Sequence, residues 1–128
     1  MTYHFSKTVN LPFDHAIEAV TKALADRGFG VLTTIDVKAT LKKKLDAEFR
    51  PYTILGACNP NFAHQALLHE DKIGTMLPCN VIVQQHDDGA VEVSAVDPVE
   101  SMQSVNNPEL GSIASQVRER LREAVESL

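Results

Sequence analysis

The sequence predicts an α+β fold: a two-layer sandwich with helices on one face of a mostly antiparallel or mixed sheet, in the order βαβαβαββα. Three observations carry this expectation. Runs that alternate apolar and polar residues interleave with runs whose apolar residues recur every three or four positions. Asp87-Asp88-Gly89 lies between two alternating runs, which marks a hairpin and therefore an antiparallel strand pair. The C-terminal segment from Glu109 carries the most regular amphipathic stripe in the chain, Leu110, Ile113, Ala114, Val117, Leu121, Ala124, Val125 and Leu128.

Each element has its own local reason. Tyr3, Phe5 and Val9 alternate with His4, Ser6 and Thr8 in a first strand, and Lys7 interrupts its apolar side, as an edge strand would allow. Pro12 suits a first helical turn, and Phe13, Ile17, Val20 and Leu24 follow at helical spacing until Gly28 stops the helix. Phe29 to Ile35 reads as the second strand. Asp36 caps a short helix from Val37 to about Leu45, in which Val37, Leu41 and Leu45 repeat while Lys42, Lys43 and Lys44 face water near the negative end of the dipole.

Pro51 resets the chain ahead of a third strand, Tyr52 to Ala57. Asn59-Pro60 is an N-cap followed by proline at the first helical position, and Phe62, Ala63, Ala66 and Leu67 supply the buried face of a helix ending near Glu70. Ile73 to Leu77 and Asn80 to Gln85 are extended in character around Pro78-Cys79. Asn80 to Val96 forms a hairpin, and a loop from Asp97-Pro98 through Asn106-Asn107-Pro108 leads to the last helix.

Composition narrows the function classes. A chain of 128 residues fits one domain, residues 1–128, with a core that needs neither disulfides nor a structural metal. Twelve Lys plus Arg against seventeen Asp plus Glu leave a net charge of -5, which argues against a nucleic-acid partner. No apolar run reaches the roughly 20 residues of a membrane span, and MTYHFSKTVN lacks a signal-peptide apolar region, so a cytoplasmic protein without membrane contact is expected. Two Cys are too few for a disulfide framework or a complete thiolate zinc site, and no metal site is expected.

Chemistry concentrates at two places. Cys58 ends a strand just before the Asn59-Pro60 helix start, where unpaired N–H groups stabilise an anion, so its thiol is the candidate for higher reactivity. Gly56 permits close approach of a ligand or another segment. Cys79 and Asn80 follow Pro78. If the strands from Tyr52 and Ile73 run parallel, Cys58 and Cys79 each lie six residues along and come level, Cys79 being the more buried. His64, one turn into the helix after Cys58, is a further candidate acid, base or ligand beside it, although His69 does not converge with it. Walker, dinucleotide, G-x-S-x-G and H-E-x-x-H signatures are absent, which disfavours an enzyme and names no cofactor.

Gly28-Phe29-Gly30-Val31-Leu32-Thr33, Asp36-Val37-Lys38-Ala39-Thr40-Leu41, Phe49 through Pro60, Ala63-His64-Gln65-Ala66-Leu67 and Ile73 through Val81 together resemble the bacterial and archaeal family known as domain of unknown function 302. The resemblance covers nearly the whole chain. It implies a small α+β domain, commonly dimeric, with no established activity. Where the family pattern has Thr-Glu, this chain has Thr33-Thr34, so a carboxylate is missing there while Asp36 remains.

Three function classes follow. The first is a small-molecule or metabolite-binding domain, in which the curved sheet and the long last helix enclose a pocket near Cys58, Asn59, Cys79 and Asn80. The second is a thiol-based redox, sulfur-carrier or soft-metal-binding protein. The third is a non-catalytic homodimeric interaction module.

Overall fold

Alternation along five strands gives this chain a sheet with one strongly apolar face, and helices cover that face. The computed structural model describes residues 2–128. The elements are β1 (His4–Val9), α1 (Phe13–Ala25), β2 (Gly30–Asp36), α2 (Val37–Leu45), β3 (Tyr52–Cys58), α3 (Pro60–His69), β4 (Cys79–Gln85), β5 (Val91–Val96), α4 (Pro98–Ser101) and α5 (Glu109–Glu126). The strands lie in the order β1-β5-β4-β3-β2, and every neighbouring pair is antiparallel. This is the α+β sandwich expected, with the sheet antiparallel throughout.

Several local expectations hold. Asp36 caps α2 by accepting from Ala39 N–H at 2.9 Å, and Asn59 caps α3 by accepting from Phe62 N–H at 3.3 Å. Gly28, at φ +85°, turns the chain after α1 in a conformation that side chains rarely adopt. The Asn80 to Val96 segment is a hairpin, pairing Val83 with Val93. β1 lies at one edge of the sheet.

Other expectations are corrected. Ile73 to Leu77 is not a strand: Ile73–Met76 forms a 3-10 helix that buries Ile73, with Thr75 N–H donating to Lys72 C=O. The β3 and β4 strands therefore meet as an antiparallel pair instead of running parallel from Tyr52 and Ile73. The short helix α4 replaces part of the expected loop, because Asp97 accepts from Val99 N–H at 3.0 Å and Pro98 starts the turn. Pro12 is the residue before α1, not its first turn. Leu67 is exposed, so α3 buries Ala66 and half-buries Phe62 and Ala63. Although Leu41 and Val37 are half-buried, α2 buries no residue at all.

The core is the odd-numbered face. Leu55, Ala57, Val81, Val83, Val91, Val93 and Ala95 pack with Val20 and Leu24 of α1 and with Val117, Leu121 and Val125 of α5. Two polar ties fix α5 across the sheet. Lys7 points to the core side of edge strand β1, and its amine donates to the C=O groups of Glu126 and Leu128, closing the C-terminal end of α5. The interruption at Lys7 in the first strand is thus a helix cap. Asp97, at the end of β5, is almost fully buried and pairs with Arg118 of α5 at 3.2 Å. The Arg118 and Arg122 guanidinium groups both lie over Phe5.

Two outcomes test this packing. Leu121 is fully buried, so Leu121→Asp is expected to abolish cooperative thermal unfolding, since an unpaired buried charge costs several kcal/mol against a total of about 5–15. An unchanged melting temperature would refute the placement of α5. Arg118→Ala is expected to cost about 2–3 kcal/mol by urea unfolding, below the ~3–5 of a fully buried pair, because Arg118 keeps a third of its side chain in water.

Candidate functional site

The ends of β3 and β4 meet the start of α3 beneath the N-terminal half of α5, and a crevice opens between them. Its walls include Phe29, Phe62, Leu77, Cys79, Met102 and Val117. Counting its open mouth, it holds about 460 Å³ of empty space, and almost all of its surface is carbon or sulfur. The space is narrow, since the centre of a water molecule reaches only a small part of it.

Local sequence explains the gap. Ala57, Ala63, Ala66 and Ala114 present only methyl groups to this region, where longer side chains would close it. Proline at positions 78 and 98 fixes the chain on two sides, and the Leu77-Pro78 peptide is cis. The far end is tied by His69 of α3, which contacts the Glu109 carboxylate of α5 while Asn107 Nδ2 donates to His69 C=O at 2.9 Å.

Of the residues singled out in the sequence, Cys58, Asn59 and Cys79 contribute to the crevice. The antiparallel register sets the two Cys one residue out of step instead of level. Cys79 stands opposite Ala57, so it shares the covered face, whereas alternation turns the Cys58 side chain towards the other face beside Pro78. Cys79 is buried and Cys58 half-buried. Burial, with a smaller contribution from Cys58 nearby, pushes the Cys79 thiol up to about 11. Cys79 is therefore a neutral thiol at ordinary pH. Asn59 is buried and spends its side-chain oxygen on the α3 cap.

Asn80 and His64 fall outside the crevice. Asn80 is exposed and pairs with Gly56 on the opposite sheet face, and His64 is exposed on α3, away from the lining. The close approach anticipated at Gly56 is real but is filled from within: an added Cβ would lie 2.3 Å from Thr33 Oγ1 and 2.8 Å from Pro78 Cγ. Sequence reasoning missed Phe29, Met102, Ile113 and Val117 as lining, because their periodicity marks them only as core. The short residues at 57, 63, 66 and 114 were the available signal. Among the described residues, no three His, Cys, Asp or Glu come together as a metal site, and no helix is long and apolar enough to cross a membrane.

The model of the family described as domain of unknown function DUF302 matches residues 5–128. The chain belongs to this family. A crystal structure of an uncharacterized conserved DUF302 protein from Bacillus stearothermophilus superposes with a TM-score of 0.91 at 29% identity, covering 98% of each chain. No curated protein matches. The antiparallel sheet, α3 and α5 that frame the crevice are thus the DUF302 architecture.

A neutral buried thiol has a thermodynamic signature. From about pH 9 the unfolded chain ionises Cys79 while the folded chain keeps it protonated, so stability falls as pH rises towards 11, by roughly 2–3 kcal/mol in all. Urea unfolding at pH 8 and pH 10 is expected to show this loss in the native chain and less of it in Cys79→Ala. Parallel pH dependence in the two proteins would contradict the burial of this thiol.

Proposed function

We propose that this domain binds a small, uncharged, largely apolar molecule in the crevice between the sheet, α3 and α5. The observation that carries the reading is a nearly all-apolar opening, flanked by two phenylalanines and Met102, where the rest of the covered face is filled by side chains. A ligand displaces poorly held water there and meets aromatic and thioether surface. The lining offers little to a charged group, whose desolvation would be uncompensated. Its narrowness means that binding widens the opening, and Met102, a flexible side chain on the segment between α4 and α5, is the group best suited to yield.

The thiol reading has less support, because Cys79 is buried and held neutral. A binding role requires no ionised group.

The test uses N-phenyl-1-naphthylamine, an uncharged probe that brightens in apolar sites, and the chain has no Trp to interfere. The native protein is expected to bind it saturably. Ala63→Phe, at a half-buried wall position, is expected to weaken binding at least tenfold, about 1.4 kcal/mol, with little change in melting temperature. Equal binding by folded Ala63→Phe would remove the crevice as the site. Absence of saturable binding to the native protein, together with no added mass in native mass spectrometry of protein from its own host, would remove the reading itself.

A further inference from the structure

Asn59 is the one residue in the crevice wall whose side chain carries a nitrogen donor, since the other lining side chains end in carbon or sulfur. It is more than nine-tenths buried, at 8% exposure. Helix α3 uses half of this side chain: Oδ1 accepts from Phe62 N–H at 3.3 Å, which fixes the amide and leaves Nδ2 on its other side. Among the described residues, nothing accepts a hydrogen bond from Nδ2. Nor is Nδ2 sealed off, because the sealed side-chain nitrogens without a partner among those residues are Nε of Arg27 and Nε of Arg118. Nδ2 lies over Gly28, where a Cβ would stand 3.0 Å from it. The missing side chain at position 28 leaves the amide open to approach, and Phe29, the next residue, belongs to the crevice wall.

We propose that the crevice takes an apolar carbonyl compound, a ketone, aldehyde or ester, whose oxygen accepts from Asn59 Nδ2 while its hydrocarbon body lies among Phe29, Phe62 and Met102. The inference rests on the reading that the crevice binds a small apolar molecule, and it adds the polar group that orients that molecule. Hydrogen-bond inventory selects the carbonyl. The wall has a donor to satisfy in Nδ2, and the oxygen of the same amide is spent on the cap, so no lining side chain keeps a nitrogen or oxygen free to receive a proton. An alcohol or amine would bring a hydrogen that finds no such acceptor, at the cost of its desolvation.

A carboxylate is disfavoured at this end of the crevice. Arg120 Nη1 stands 3.8 Å from the same Cβ position at Gly28, but it donates to Arg27 C=O at 3.4 Å. Its groove also holds Asp26, Glu119 and Glu123, three carboxylates that oppose an anion there.

The matched probes are 2-acetylnaphthalene and 2-isopropenylnaphthalene, which share a shape and differ in ending on a carbonyl oxygen or a methylene. Each is measured by displacement of the naphthylamine probe. Asn59→Asp keeps an acceptor for the cap, as Asp36 and Asp97 do for α2 and α4, and replaces the donor by an oxygen. It is expected to lower the ratio of ketone to alkene affinity at least fivefold, roughly the worth of one hydrogen bond. In the native protein the C=O stretch of the bound ketone is expected below its frequency in hexane, and in the variant it is expected to return towards it. An unchanged ratio in folded Asn59→Asp, or a native C=O stretch equal to that in hexane, would overturn the proposal while leaving the crevice as a binding site. So would tighter binding of the corresponding naphthoate than of the ketone. Should Asn59→Asp not fold, Asn59→Ser, which keeps a shorter cap oxygen, is held to the same ratio. Failure of naphthylamine to bind the native protein would instead remove the crevice reading, and this proposal with it.

Discussion

The packing of α5 across β1 and β5 is the contact on which the rest of this structure depends. The helix brings Ile113, Val117, Leu121 and Val125 onto the odd-numbered face of the sheet, where Val81, Val83, Val93 and Ala95 are nearly or wholly excluded from water. A sheet of this width cannot stand alone in water, because its apolar face must be buried against another layer. Helix α1 covers a neighbouring strip with Val20 and Leu24, but α5 also ties the edge strand to the centre. Its position is fixed at two points, by Lys7 at its end and by Arg118 at Asp97. Both ties use a charge turned inward and met by a partner, so that each specifies a place on the sheet as well as contributing attraction.

Much of this was legible in the sequence, for physical reasons that differ by element. Helix α5 was readable because eight apolar positions keep one phase along it. The starts of α2 and α3 were readable because Asp36 and Asn59 carry short side-chain acceptors that satisfy orphan N–H groups locally, without reference to the rest of the fold. Gly28 was readable for a similar reason, its positive φ being a local demand. The 3-10 turn at Ile73 was not, since a single apolar residue among small ones has no period to display and its burial is decided by what packs over it. Helix α4 hid behind Asp97-Pro98, a pair that ends a strand and starts a helix equally well.

The site was partly legible. Cys58, Asn59 and Cys79 were placed near it because strand ends and helix starts are where backbone geometry leaves space and unpaired groups. Their mutual arrangement was not available, since the reasoning assumed parallel strands, and a change in strand direction alters which residues stand opposite one another. His64 and Asn80 followed from proximity in sequence to the cysteines, which a helix face and a strand face each divide by direction. The last helix was expected to help enclose the site, but which of its residues line it was not legible, because a core residue beside a gap has the same periodicity as one beside another side chain.

The helical cover of the core face also frames the crevice. Helices on a single face must bridge from β1 to β2, and the α1 and α5 pair covers the β1-β5-β4 side most closely, where the buried valines concentrate. Helix α1 also reaches β2, and α3, a helix of ten residues that buries only Ala66, packs chiefly against α5. The opening lies between α5, α3 and the ends of β3 and β4, where alanines line much of the wall. On the other face β3 and β2 carry Ile54, half-buried, and Ile35, exposed. A ligand in the crevice would supply apolar contact where the chain's own short side chains supply least.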